Sequence, residues 1–364
     1  MAIIEAIAID IFKTLAVNII EGKLKNISTI NIFKTNNSDQ FLKLNTLDLI
    51  KFYNKTEPFS YYIDINNLYV IPGSLILEDF FGHYLDELIT ENKIKYKYQE
   101  TSFNLSNELL SFSKPVADII SKNKKLYNGN TVRLEDIKKD SERCYTIILQ
   151  NATYYDGLKS NYALDIPIID KNKTIREYLH DSNKLPKYKK SKLANHIGVV
   201  CMIETADGYL IAQKRSSQVA NNANTLSSSS SGTVEDIDLV ENDTNFFKNI
   251  FNSIKRETLY EIGVTIEAKK TIFMGGIRDF KRGGLTDFHF YTKINYNFSD
   301  VVKTLENAPE NFETDQLVKF NISASSKEDF IFNIKDILLR KLNSNITFDA
   351  GLLLYTKYKL ENKF

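Results

Sequence analysis

The chain has 364 residues, 47 of them basic and 46 acidic, for a formal net charge of +1, and 43% of it is hydrophobic. So even a balance gives no global field for nucleic acid or an anionic membrane, and any phosphate recognition must be local. The length suits two domains or one with a long N-terminal extension; two cysteines far apart, Cys144 and Cys201, exclude a disulfide framework or a zinc site and fit a reducing compartment.

Taken in chain order, residues 2–21 put Asp10, Lys13, Thr14, Asn18 and Glu21 on one helical face and Ile11, Phe12, Leu15 and Ile19 on the other, with Gly22 as a stop. The charged residues bar this amphipathic helix from spanning a bilayer, and it lacks the basic start and cleavage site of a secretion signal. A cytoplasmic protein with no membrane span is the expectation. Residues 27–33 and 61–71 read as β-like runs, 77–90 as largely helical, and Pro72-Gly73 as a turn. We expect residues 1–105 to form a small α+β region without a chemical motif. Self-association or binding of a protein partner is the role left to it.

The remainder, 106–364, begins with a helix over 108–122, a turn at Asn128-Gly129, a strand over 144–149 and a basic connector at 184–192. From residue 195 the pattern sharpens. Ile197–Glu204 is a strand, Ala206-Asp207-Gly208 a tight turn and 209–214 a second strand, together a hairpin. Residues 216–231, ending in five serines, read as a solvated loop. A helix follows over 245–262, with Asp243 or Thr244 as its cap and Gly263 as its end. Strands at 264–273 and 286–294 are joined by a glycine-rich turn holding Gly275, Gly276, Gly283 and Gly284, and helices lie near 327–342 and 349–358.

The helix over 245–262 carries the chemistry. Ile250, Phe251, Ile254, Thr258 and Ile262 form its apolar stripe around Phe247, with Glu257 at the margin and Glu261 inside it. Two carboxylates one turn apart repel, and one near the core adds a desolvation cost. A hard divalent cation held by their oxygens resolves both costs, and Mg²⁺ suits substrate phosphates. The competing reading leaves both glutamates solvated and paired with Lys255 or Arg256.

The run Arg256-Glu257-Thr258-Leu259-Tyr260-Glu261-Ile262-Gly263-Val264 resembles the second half of the Nudix box, and Gly232 resembles its opening glycine. The preceding hairpin with Gln213-Lys214-Arg215-Ser216 and the later stretch from Arg282 to Phe290 are similar to the flanking strands of that family, so the resemblance covers the core at 195–300. It implies an α/β/α sandwich with a mixed sheet. It implies hydrolysis of a nucleoside diphosphate linked to another moiety, an NDP-sugar being one class, with Mg²⁺ or Mn²⁺ as cofactor. Glu257 and Glu261 would be the catalytic and metal-binding pair, with Gly232 beside the metal. Lys214, Arg215, Glu235 and Asn161 would face a small nucleotide substrate, and Arg256 would orient a glutamate. A looser likeness of residues 124–170 to a leader in NDP-sugar pyrophosphatase-like members places Asn128, Arg133, Tyr155 and Asn161 at the substrate side, or else at turns and strand ends; Asn195-His196 opens the first strand.

Three departures stand out. Gly232 lies 24 positions before Arg256, about ten more than the box allows, so its first glutamate has only Asp238 or Glu241 as counterparts. Tyr260 replaces one metal-binding glutamate, with Glu310 and Glu313 as substitutes. Thr258 replaces an aliphatic residue. An inactive nucleotide-binding module is therefore the alternative function.

Overall fold

The computed structural model describes residues 46–54, 56, 72–122, 127–168, 173–217, 224–340 and 344–364. The expected helix over 2–21 and the β-like runs at 27–33 and 61–71 lie outside them. The first helix described is α1, Thr46–Phe52. Then come β1 (Gly73–Ile76), α2 (Leu85–Glu91) and β2 (Ile94–Tyr98), two short helices at Asn107–Phe112 and Lys114–Lys122, and the hairpin β3 (Asn130–Ser141) and β4 (Cys144–Thr153). After the connector come β5 (Ile197–Glu204), β6 (Tyr209–Arg215), β7 (Leu226–Ser227), β8 (Ser230–Thr233) and α3 (Phe246–Ile262). The chain ends with β9 (Thr271–Asp279), β10 (Leu285–Lys293), β11 (Thr314–Asn321), α4 (Lys327–Arg340) and α5 (Ile346–Asn362).

The main sheet runs β1-β9-β10-β5-β6-β11, with β8 added to β5 and β7 to β6. It is mixed: β10 and β5 are parallel, and the other pairs are antiparallel. Every residue of β5 is buried, as a strand covered on both faces requires. The period of two explains how. Val199, Cys201 and Ile203 face the core built on α3, whereas Met202 faces the core built on α4 and α5. The result is the expected α/β/α sandwich with a mixed sheet. No helix among the described residues is long and apolar enough to cross a membrane.

The N-terminal segments are woven into this frame. β1 pairs with β9, β2 pairs in parallel with β4 in a second three-stranded sheet, and Leu77, Phe80, Leu88 and Ile94 share the core of α3. Thus parts of the region assigned by sequence to 1–105 contribute strands and core to residues beyond it.

Three local expectations are corrected. The serine run is not a solvated loop: Ser227 to Ser230 are buried. β5 and β6 pair only at Ile203–Ile211 and Glu204–Leu210, then part, and the serines enter the fork as β7 and β8. There the Ser229 hydroxyl accepts from the Ile203 N–H and donates to the Ile211 carbonyl, taking the place of a backbone rung. Gly275-Gly276 is not a turn either. Gly275 adopts φ 95 at a bulge in β9, and a Cβ there would lie 2.8 Å from Leu75 Cδ1 of β1. The bulge lets the strand continue to Asp279, while residues 264–270 are coil and a short 3₁₀ turn. Finally, α3 is capped by Asn245, whose side chain accepts from the Lys248 N–H; Asp243 instead accepts from the Asn245 N–H. Gly263, at φ 70, ends the helix as expected.

Three histidines are buried and held neutral. Burial, joined by the charges of Arg176 and Arg278, lowers His180 to about 3; burial lowers His196 to about 4; and burial with Arg282 lowers His289 to about 3. Both ring nitrogens of His289 lack a hydrogen-bond partner. In the unfolded chain these rings take up protons below about pH 6.5, so unfolding absorbs protons there and stability falls as pH falls. A urea midpoint that declines steadily from pH 6.5 toward 4, and declines less in His289→Phe, is the expected result.

Candidate active site

A cleft of about 360 Å³ opens where β8, the end of β6 and α3 meet. Its floor holds Glu257 and Glu261, presented one turn apart by α3. Neither is solvated: Glu257 is 7% exposed and Glu261 2%. The helix places them inward because Ile250, Ile254 and Ile262 on the same side pack into the core. The reading in which both glutamates sit on a wet surface is thereby excluded.

Each carboxylate has its own setting. Glu257 Oε1 meets Arg256 Nη1 at 2.8 Å. Gly232 of β8 lies against the same carboxylate, so closely that a Cβ there would sit 2.0 Å from the Glu257 carboxyl carbon. That contact, rather than backbone conformation, is why the opening position must be glycine. Glu261 accepts from the Ser231 N–H at 2.9 Å and from Gln213 Nε2 at 3.0 Å, and its second oxygen faces Arg215 Nη1 at 3.9 Å. Burial raises both acids. Glu257 goes well above the ordinary carboxylate range, opposed by Arg256 and reinforced by Glu261 and Glu310; Glu261 rises to about 8, opposed by Arg215 and reinforced by Glu313.

Above pH 4.5 an unfolded chain ionises these carboxyls while the folded one keeps protons on them, so unfolding releases protons and stability is lost as pH rises toward 8. Each group contributes a slope of about 1.4 kcal/mol per pH unit. With the histidines, this puts the expected stability maximum of the ion-free protein near about pH 6.5. Thermal melts in EDTA should fall from there to pH 8, and the fall should shrink on adding Mg²⁺ if the ion replaces the protons.

Arg256 acts through its neighbours. It grips Asp238 through Nε and Nη2, both at 2.8 Å, and donates to the Thr233 carbonyl. The long insert therefore returns an acid, Asp238, to Arg256, whereas Glu241 is exposed. Glu235 and Glu310 line the cleft half-buried, both raised chiefly by burial. Glu313 lines it too and pairs with Arg215 at 3.0 Å. Tyr260 is 38% exposed and is not part of the cleft wall.

Lys214 does not reach the site. Alternation along β6 turns Gln213 and Arg215 toward Glu261 and leaves Lys214 exposed. Asn161 is likewise not at the substrate side: buried, it donates to Asn195 Oδ1 and the Arg282 carbonyl and accepts from the Asn195 N–H. Arg133 braces Leu193, Ser191 and Gln150, and Asn128 accepts from the Tyr155 N–H, so both hold loops. His196 lines the cleft, against Gly157, where a Cβ would lie 2.4 Å from its ring.

Sequence reasoning missed the tyrosine wall of Tyr127, Tyr154 and Tyr162, and the pair of Arg282 with Asp279 and Asp287. All three lie within residues 124–170, the stretch likened above to a leader, but their uneven spacing does not show that the rings meet at the cleft. Gly232→Ala is expected to destabilise the protein by about 1–3 kcal/mol through overpacking. In a Glu257→Ala background the penalty should largely vanish, as a double-mutant cycle in urea would read.

No family model matches the sequence, and no curated protein matches it. Among solved structures, the chain is similar to a protein of Deinococcus radiodurans (13% identity, TM-score 0.28, covering 44% of this chain and 81% of that one). It is also similar to a MutT protein from Methanosarcina mazei (16%, TM-score 0.30, 46% and 96%). A third is a bifunctional NMN adenylyltransferase/ADP-ribose pyrophosphatase from Francisella tularensis (12%, TM-score 0.27, 71% and 77%).

Proposed function

We propose that the cleft hydrolyses the phosphoanhydride of a nucleoside diphosphate linked to another moiety, with NDP-sugars as the first class to test. The observation that carries this reading is the pair of buried glutamates one turn apart on the cleft floor, neither fully neutralised by the cations beside it. Such a pair is costly to fold and is worth keeping where it meets a cation and a phosphate chain.

The donor set suits Mg²⁺ or Mn²⁺ brought in with the substrate. Among the described residues no three His, Cys, Asp or Glu side chains form a ready metal cluster, and one oxygen of Glu261 is already committed. Mg²⁺ commonly takes only one or two carboxylates and completes its shell with water and substrate phosphates. Glu257 and the second oxygen of Glu261, which faces Arg215 at 3.9 Å, would be those ligands. The ion, when bound, would offset charge on the bridging phosphate and acidify a bound water.

The protein's own groups prepare that encounter. Asp238 fixes Arg256, Arg256 fixes Glu257, and Gly232 lets the strand close on it. Arg215, at the rim, is the guanidinium placed to touch the diphosphate. The tyrosines offer ring faces to a base or hexose.

The test is release of nucleoside monophosphate from a panel of NDP-sugars, ADP-ribose, NAD and dinucleotides with Mg²⁺ or Mn²⁺, against a Glu261→Gln control. Turnover equal to the control would end the claim. A second reading, a nucleotide-binding module without catalysis, is favoured by one feature: a tyrosine stands where a third helix carboxylate belongs. Thermal shifts with nucleotides but no turnover would select it.

A further inference from the structure

A second cleft, of about 420 Å³, shares no lining residue with the first. It lies between the ends of β9 and β10 and the last turns of α5. Lysines converge on it from three separate elements: Lys269 and Lys270 from the turn before β9, Lys293 from the end of β10, and Lys359 and Lys363 from α5 and its C-cap. Lysines at a helix C-terminus alone would be explained by the helix dipole. Three of the five come from elsewhere, so that explanation is insufficient.

The carboxylates facing these lysines are fewer. Glu204, buried beneath the cleft, accepts from Lys293 at 3.0 Å and Lys359 at 2.7 Å, and also from the Tyr291 and Tyr355 hydroxyls. Glu267 takes Lys269 at 3.0 Å and Lys270 at 2.7 Å. Five lysines against two carboxylates leave three positive charges, and among the described residues no carboxylate pairs with Lys363. Glu204 also has a positioning effect, because it pins Lys359 beside the ring of Tyr291, 4.8 Å from its centroid.

The apolar part of the wall is made of three tyrosines and Ile272. Tyr84 is 44% exposed at the mouth. Tyr358 and Tyr291 continue inward, their rings 5.5 Å apart. A net cationic rim of compact ammonium groups next to the exposed ring of Tyr84 is complementary to phosphates attached to a flat ring. We propose that this second cleft binds a small phosphate-bearing ligand with a flat ring, of the nucleotide class. The lysines take the phosphates and Tyr84 takes the ring.

The test uses the full chain in EDTA, with ADP, tripolyphosphate and adenosine as probes, read by calorimetry. ADP and tripolyphosphate should bind, and adenosine should not bind detectably. Lys270→Glu together with Lys363→Glu should weaken ADP at least tenfold, while Glu261→Gln and Arg215→Ala leave this binding event in place. Tyr84→Ala should weaken ADP and not tripolyphosphate. Should the double variant fold poorly, acetylation of the wild type read by mass spectrometry replaces it: ADP should protect Lys269, Lys270, Lys293 and Lys363. The proposal is overturned if ADP and tripolyphosphate fail to bind at millimolar concentration. It is overturned equally if binding survives the lysine reversals, or if those lysines stay fully reactive under saturating ADP.

Discussion

Glu261→Gln is expected to lower kcat/KM by about 10²–10⁴-fold, the range that loss of a positioned proton-handling or charge-stabilising group costs. The same substitution should raise stability at alkaline pH. Glu261 is 2% exposed and is pushed to about 8 by burial, so a neutral amide of similar shape removes the penalty of ionising it. The amide still reaches Gln213 and Ser231, with one oxygen to accept from either. Activity down and alkaline stability up, measured on one protein by steady-state kinetics and by melts from pH 6.5 to 8.5, is the signature of a residue kept for chemistry. A carboxylate kept for architecture would lose stability on replacement. That outcome, with turnover intact, would remove Glu261 from the site.

The second large effect is on folding. Arg176 is fully buried, with Nε and Nη2 on Asp165 at 2.7 and 3.0 Å. Its Nη1 donates to the Tyr53 hydroxyl and the Phe280 carbonyl, and Nη2 also reaches the Lys281 carbonyl at 2.6 Å. One guanidinium thus joins the residue after α1, the turn between β9 and β10, and the loop at Asp165. Arg176→Met keeps the stem but strands these acceptors, and should cost about 3–5 kcal/mol. Arg176→Lys should recover only part, because a single ammonium cannot serve acceptors spread around a planar fork. Urea unfolding giving less than about 1 kcal/mol for the Met variant would show that water can replace the network.

What could be read from the sequence follows from burial. β5 is sealed on both faces, so its apolar run stands out, and α3 announces itself through a stripe and Gly263, although its cap is Asn245 rather than Asp243 or Thr244. The glutamate pair was legible for the same reason: Glu261 sits where an apolar residue belongs. What was hidden depends on partners distant in the chain. The serine run reads as a solvated loop because its hydroxyls find strands β5 and β6 only in the folded state. Gly275 looked like a turn because the reason for it is Leu75, two hundred residues away. Asn161 was assigned to substrate although its partners, Asn195 and Arg282, make it a brace. Lys214 and Arg215 are neighbours in sequence, and only the register of β6 separates the one that faces Glu261 from the one that does not.

The fork between β5 and β6 also has a bearing on modification. Ser227 to Ser230 look from their sequence like an open target for hydroxyl-directed enzymes, yet once folded each is sealed behind strands, and Ser230 is tied to Thr258 on α3 at 2.7 Å. A kinase could reach them only on the nascent chain or after local opening. A phosphate placed there would wedge apart the strands that hold Gly232 against Glu257.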